Sequence, residues 1–287
     1  MPKNSADMVL RARLKEAVRF PDLSERRALK LESILHYCAR AHFGLWHKRL
    51  GSPDFSRFEG VFTPLVYVET EVTDIVLDPM KGLQVHGETF LARTVDDHGE
   101  TRHLVREGHH TILDAKGDVV ARARLMNVFT RYDPDPARRR VTELPAGLGL
   151  GKAPSRLTQL PELEDLLPAD RPPELTENAP AFWHYGQTDA NRHVNGVEYQ
   201  RVMHEFVASA LGSRGHDLRR LYFAKARIVY RKPCFRGEGY RRSAWMQGEA
   251  APIVAGAFAK EGEAPGARPA VALELALAQH PGGERQD

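Results

Sequence analysis

Thr188-Asp189-Ala190-Asn191-Arg192-His193-Val194-Asn195-Gly196-Val197-Glu198-Tyr199 sets a carboxylate, a carboxamide and an imidazole at alternate positions just ahead of a helix. In an extended segment, Asp189, Asn191 and His193 project to one side. Tyr199, Val202, Met203, Phe206, Val207, Ala210 and Leu211 recur at helical spacing and predict a helix over 195–211. Asn195 is a favourable N-cap, with Glu198 placed to close a capping box. Gly212-Ser213-Arg214-Gly215 stops the helix. Backbone N–H groups at a helix start carry partial positive charge, so Asn195, Gly196 and Val197 are candidate oxyanion donors. Gly196 has no side chain to block a close approach.

Working outward, a short strand is expected over 181–185, and alternating runs predict strands over 221–232, 239–248, 252–260 and 270–278. The first half repeats this order. Leu31, Ile34, Leu35, Cys38, Ala39, His42, Leu45 and Trp46 form one face of a helix expected over 24–50, with Asp22 and Glu25 as its start signal. Strands follow over 63–77, 83–95, 102–113 and 119–131, separated by turn residues. Nine prolines between Pro134 and Pro180, with the basic run Arg138-Arg139-Arg140, argue against a regular element there, apart from a short helix near 162–167. The expected organisation is a first domain over 1–132, a surface connector over 133–180, a second domain over 181–280 and a frayed tail over 281–287. The fold class is α+β, with a helix-plus-four-strand architecture used twice.

With 41 Lys and Arg against 38 Asp and Glu, the formal net charge is +3, too mild to imply nucleic acid. Cys38 and Cys234 have neither zinc-site nor disulfide-framework spacing. His86, His103, His109 and His110 lie on predicted strands without metal-ligand spacing, so no metal is expected. The first residues lack the apolar core of a signal peptide and no stretch is long enough to span a bilayer, so a cytoplasmic protein without membrane association is the expectation.

A carboxylate, a carboxamide and an imidazole beside a helix start suit acyl chemistry on a carbonyl. Asp189 can activate water or attack the carbonyl, Asn191 can hold water or substrate, and His193 can orient these groups or share protons. The stretch 188–199 resembles the D-x-N-x-H-V-N-N-x-x-Y signature of acyl-ACP and acyl-CoA thioesterases with the hotdog fold. Arg227-Ile228-Val229-Tyr230-Arg231-Lys232-Pro233-Cys234 is similar to the following strand of that family, and Glu205 matches its helix glutamate. The close match covers about 45 residues. The resemblance implies a tandem hotdog, each unit a long helix wrapped by an antiparallel sheet. The two units would form a built-in pseudo-dimer, with further homo-oligomerisation open. It also implies Asp189, Asn191 and His193 as the catalytic group, with Glu205 and Tyr199 in support. Two positions depart from the pattern: Pro233 stands where an acidic residue is expected, and Gly196 replaces the second asparagine.

The first half holds no second D-x-N-x-H, so one site per chain is expected. Cys234 reads as inert rather than nucleophilic, and Glu205 equally fits an ion pair with Arg201. Arg227, Arg231, Lys232 and Arg236, continuing to Arg241 and Arg242, form a basic stretch. It is either a solvated face or a contact for CoA or phosphopantetheine phosphates, or for an acidic carrier protein. The expected partner is acyl-CoA or acyl-carrier protein, with no cofactor beyond the one the substrate carries. Competing readings are a double-hotdog acyltransferase or dehydratase, and a non-catalytic acyl-binding module. Hydratases of this fold resemble D-x-N-P-x-H, one residue longer than the spacing here.

Overall fold

The structure, a computed structural model, describes residues 5–50, 60–151, 153–189, 192–248, 252–264 and 266–280. Two compact units emerge, the first from Met1–Leu23, Ile34–Val68 and Leu77–Leu160, the second from Ser24–Ser33, Glu69–Val76 and Pro161–Asp287. Of the span expected to be a connector, residues 133–160 belong to the first unit and 161–180 to the second.

The first unit contains β1 (Val9–Glu16), α1 (Ile34–Leu50), β2 (Val61–Phe62), the first half of β3 (Leu65–Val72), β4 (Leu83–Val95), β5 (Thr101–Leu113), β6 (Val119–Val128) and β7 (Thr130–Arg131). Strands β1, β4, β5 and β6 run antiparallel in that order. Alternation puts Leu14, Val85, Ile112 and Ala121 in one cross-strand row. α1 lies against these strands and buries Ile34, Cys38, Ala41, His42 and Trp46. The indole Nε1 of Trp46 donates to Thr89 Oγ1 at 3.0 Å, which satisfies its polar edge within the core.

Three expectations for this half need correction. The helix begins at Ile34 rather than near Ser24. Asp22 does not serve as a start signal because its carboxylate accepts from Arg19 Nε (2.6 Å) and Tyr37 Oη (2.7 Å). Arg27 takes a left-handed φ of 61°, which a helix does not allow. Residues 9–16, read as no element, form edge strand β1, whose Arg11, Arg13 and Lys15 stay exposed while neighbours are half-buried; charged edges resist further pairing. The proline-rich span does not simply travel over the surface. Val141, Leu144, Leu148 and Leu150 pack into a core with Trp46, Leu91, Leu104 and Phe129. Apolar side chains between prolines can bury without a regular backbone.

The second unit contains the remainder of β3, β8 (Leu175–Thr176), β9 (Ala181–Phe182), α2 (Gly196–Ser213), β10 (Leu221–Tyr230), β11 (Gly239–Gln247), β12 (Ile253–Lys260) and β13 (Val271–Gln279). Its antiparallel order is β10-β13-β12-β11, with β8 and β9 on the outer side of β11. β8 is a regular element inside the proline-rich span, which the proline count argued against. The short helix expected near 162–167 is a 3-10 turn over Leu163–Asp165.

α2 settles on its sheet through small and aromatic contacts. A Cβ at Gly256 would meet Met203 Cε at 2.8 Å, so the missing side chain on β12 makes room for the helix. Tyr199 meets Phe258 edge-on at 5.5 Å, and His204 stacks on Phe223 of β10 at 4.0 Å. Among the described residues, no helix is long and apolar enough to cross a membrane.

Candidate active site

The loop ahead of α2 is held by two anchors. The first is Trp183, 1% exposed, which stacks on Tyr240 at 4.1 Å and meets Tyr199 edge-on at 4.9 Å. Its backbone donates to Glu238 O (3.1 Å) and accepts from Gly237 N (2.8 Å), fixing the chain where it leaves β9. The second is buried Gln187, whose carbonyl accepts from Asn195 N at 2.8 Å. Its side chain takes the His184 N–H at 2.8 Å and donates to Glu198 Oε2 at 3.4 Å. Strand exit and helix start are thereby tied to one residue.

Between these anchors the chain doubles back rather than extending. Thr188 bridges Val194 antiparallel, Asp189 N donates to His193 O at 3.0 Å, and Arg192 N donates to Asp189 O at 2.9 Å. Arg192 takes a left-handed φ of 65° to close the turn. The segment is therefore not extended, and its side chains do not simply alternate. Asp189 and His193 sit opposite each other across a tight turn, positions that share one face of it. Asn191 lies outside the described residues.

His193 is further fixed from the β10–β11 connection. It bridges Phe235 and meets that ring edge-on at 5.0 Å, while Val194 N donates to Cys234 O at 2.8 Å. Tyr199 Oη accepts from Cys234 N at 3.2 Å, and burial pushes the Tyr199 hydroxyl pKa far above its usual value. Tyr199 is thus a protonated strut for the turn at Cys234. The Cys234 thiol is also pushed up by burial, which keeps it protonated and suits the inert reading.

Asn195 caps α2, its Oδ1 accepting from Val197 N at 3.2 Å. The capping box does not close, because Glu198 turns to Arg201, at 2.8 Å from Nη2. Of the three candidate oxyanion donors, Asn195 N is taken by Gln187 O and Val197 N by the cap. Gly196 N–H is the one that no described residue takes up. The Gly196 departure has a local cause: a Cβ there would lie 3.0 Å from Tyr230 Oη, which donates to Gly196 O at 3.1 Å. Asn195→Ala is expected to cost about 1 kcal/mol through loss of the cap, read as a lower urea midpoint.

Other candidates are placed elsewhere. Glu205 is exposed and pairs with Arg201 at 2.7 Å. Ten residues into α2 from the cap, it stands roughly 15 Å along the helix axis and does not reach the loop. Most of the basic stretch is paired. Arg227 meets Glu274 at 3.3 Å, Lys232 meets Glu263, Arg241 meets Glu261 at 2.9 Å and Arg242 meets Glu177. Arg231 donates to the carbonyls of Arg268 and Pro269. Arg236 differs: its guanidinium lies over the exposed ring of Tyr185 at 5.6 Å. With exposed Arg192, it supplies positive charge near the turn. Sequence reasoning missed Arg192, Gln187, Tyr185 and Phe235; the only signal was their closeness to the motif in the chain. Among the described residues, no group of His, Cys, Asp and Glu could hold a metal ion.

Solved structures share the fold of this chain. A candidate oleoyl thioesterase from Lactobacillus plantarum aligns at a TM-score of 0.67 and 14% identity, covering 97% of this chain and 98% of that one. A 12:0-ACP thioesterase from Umbellularia californica aligns at 0.64 and 15%, covering 95% and 94%. This is a double-hotdog fold. The double hotdog is shared more distantly with a MaoC-like dehydratase from Phytophthora capsici, at a TM-score of 0.51 and 15% identity, covering 98% and 100%. At these identities the likeness is one of fold. No protein-family model and no curated protein matches the chain by sequence. In the double hotdog described here, the motif loop belongs to the second unit, at the start of its long helix.

Proposed function

We propose that the chain hydrolyses an acyl thioester carried on acyl-carrier protein or coenzyme A. The observation that carries this reading is the turn setting Asp189 opposite His193 at the capped start of α2, with Gly196 N–H taken up by none of the described residues. Two of the fold's neighbours are described as thioesterases, one of them acting on a 12:0 acyl-carrier substrate, which supports the reaction class.

In this mechanism the acyl carbonyl oxygen points toward Gly196 N–H at the positive end of the helix. Asp189, exposed to solvent, removes a proton from water as the water oxygen bonds to the carbonyl carbon, and the developing oxyanion is stabilised by that N–H. Collapse of the tetrahedral intermediate breaks the C–S bond and releases the thiolate, which takes up the proton. The products are a carboxylic acid and a free thiol. His193 orients the water or shares its proton, and Asn191 holds the water or thioester. A thiolate is a good leaving group, so no metal or further cofactor is needed.

The test is thiol release from a panel of acyl-CoAs and acyl-carrier proteins by the full chain. Release that depends on Asp189 is expected; absence of release across the panel sinks the reading. Release that requires an added acceptor would reassign the site to acyl transfer, and water addition to an enoyl thioester would reassign it to hydration. Arg236→Glu is expected to raise KM for the carrier-bound substrate several-fold at low salt, with the difference shrinking as salt screens the charge. A KM that ignores both the reversal and the salt would remove Arg236 from substrate capture.

A further inference from the structure

The first unit contains a buried polar chain that the proposed reaction does not use. β5 sets Arg106, Gly108 and His110 on one side of the strand, and His42 of α1 comes down upon them. A methyl at Gly108 would sit 2.2 Å from His42 Nδ1, so the glycine makes room for the ring. Asn127 Nδ2 donates to Thr63 O at 2.9 Å, which turns its Oδ1 toward His42 Nε2 at 2.8 Å. His42 Nε2 must then carry the proton, and Nδ1 accepts from His110 Nε2 at 3.3 Å. This bonding assigns His42 to its neutral form, with His110 donating from Nε2. Burial favours the neutral form of both rings: it lowers His42 well below the usual histidine value, helped by Arg106 and His110, and takes His110 down to about 4.

Arg106 is the charged member of this cluster, and it is 1% exposed. Its guanidinium lies over the Phe43 ring, 4.8 Å from the centroid. Among the described residues, neither Nε nor Nη2 has a hydrogen-bond partner and no carboxylate pairs with the group. Burial draws its pKa from 12.5 to about 9, the mark of a cation removed from water without compensation. The Nε and Nη2 hydrogens form the side-on edge of the guanidinium, two parallel donors that match the two oxygens of a carboxylate. With both neighbouring histidines neutral, one negative charge balances the cluster, whereas a dianion would overcompensate. Phe43 covers the flat face, so a ligand approaches in the plane.

We propose that the Nε/Nη2 edge of Arg106, beside the His42–His110 pair and under Phe43, is a binding site for a monoanionic carboxylate. This site belongs to the first unit, and the proposal does not depend on thioester hydrolysis. The ligand would be a small organic acid, or the carboxylate end of a longer one, gripped bidentately.

Acetate titrated into the full chain at constant ionic strength, with chloride as the balancing ion, tests this directly. The thermal midpoint should rise saturably with acetate, and the Arg106 Nε–H resonance should shift along the same curve. Arg106→Met should lose the saturable response, since an apolar side chain of similar length fits a buried position without a counter-charge. Arg106→Lys keeps a charge without the fork and should weaken acetate at least tenfold. An Arg106→Met protein that responds like wild type overturns the proposal, as does a response to phosphate tighter than to acetate. Should Arg106→Met fail to fold, an Nε–H signal of the wild type that stays fixed through high acetate overturns it alone.

Discussion

Asp189→Asn is expected to lower thioester hydrolysis by roughly 10²–10⁴-fold, the range that loss of a positioned general base produces. The substitution keeps size and removes basicity. It should leave the loop intact, because the turn is held by backbone bonds from Asp189 N to His193 O and from Arg192 N to Asp189 O. Both survive the exchange, and Asp189 is exposed, so no buried charge is disturbed. The loss should fall on kcat with the denaturation midpoint unchanged. Single turnover in ¹⁸O-water tests the covalent role: label entering the Asp189 carboxylate marks it as nucleophile, since only a mixed anhydride opened at Asp189 puts water oxygen there. Turnover within twofold of wild type would remove Asp189 from the reaction.

Trp183→Ala is expected to cost about 3–5 kcal/mol, the range for emptying a buried aromatic site. Trp183 is enclosed by Tyr240, Tyr199 and Phe258, so its removal leaves a cavity ringed by stiff side chains that collapse poorly. Activity should fall with stability, because Trp183 fixes the chain end from which the motif turn starts. Urea denaturation of the full chain reads the first effect and thiol release the second. A midpoint equal to wild type would show that the aromatic cluster does not hold this end of the loop.

Strand positions were readable where alternation is strong. Residues 83–95 form β4 as expected; 83–88 alternate between buried and more open positions, although Thr89, Phe90, Leu91 and Ala92 are all buried. The start of α1 was not readable, because it depends on Tyr37 and Arg19 claiming the Asp22 carboxylate, a contact closed only in three dimensions. The motif behaved similarly. Its residue types and its position before α2 were legible, but its shape depends on Cys234 and Phe235, some forty residues on, pairing with Val194 and His193. The basic stretch looked like a ligand surface because its acidic partners, Glu177, Glu261, Glu263 and Glu274, are remote in sequence. Of the four candidate contacts, Arg231 and Arg236 meet no carboxylate among the described residues; two backbone carbonyls hold Arg231, and Arg236 lies over Tyr185.

The segments Ser24–Ser33 and Glu69–Val76 belong to the second unit although the chain on either side of each belongs to the first. No single cut in the polypeptide therefore releases either unit whole. A fragment ending before residue 133 would also lack Val141, Leu144, Leu148 and Leu150, leaving Leu91, Leu104 and Phe129 facing water. Such a fragment should aggregate rather than fold. Each unit is completed by segments that lie on either side of stretches belonging to the other, so its parts come together only when the full polypeptide is present.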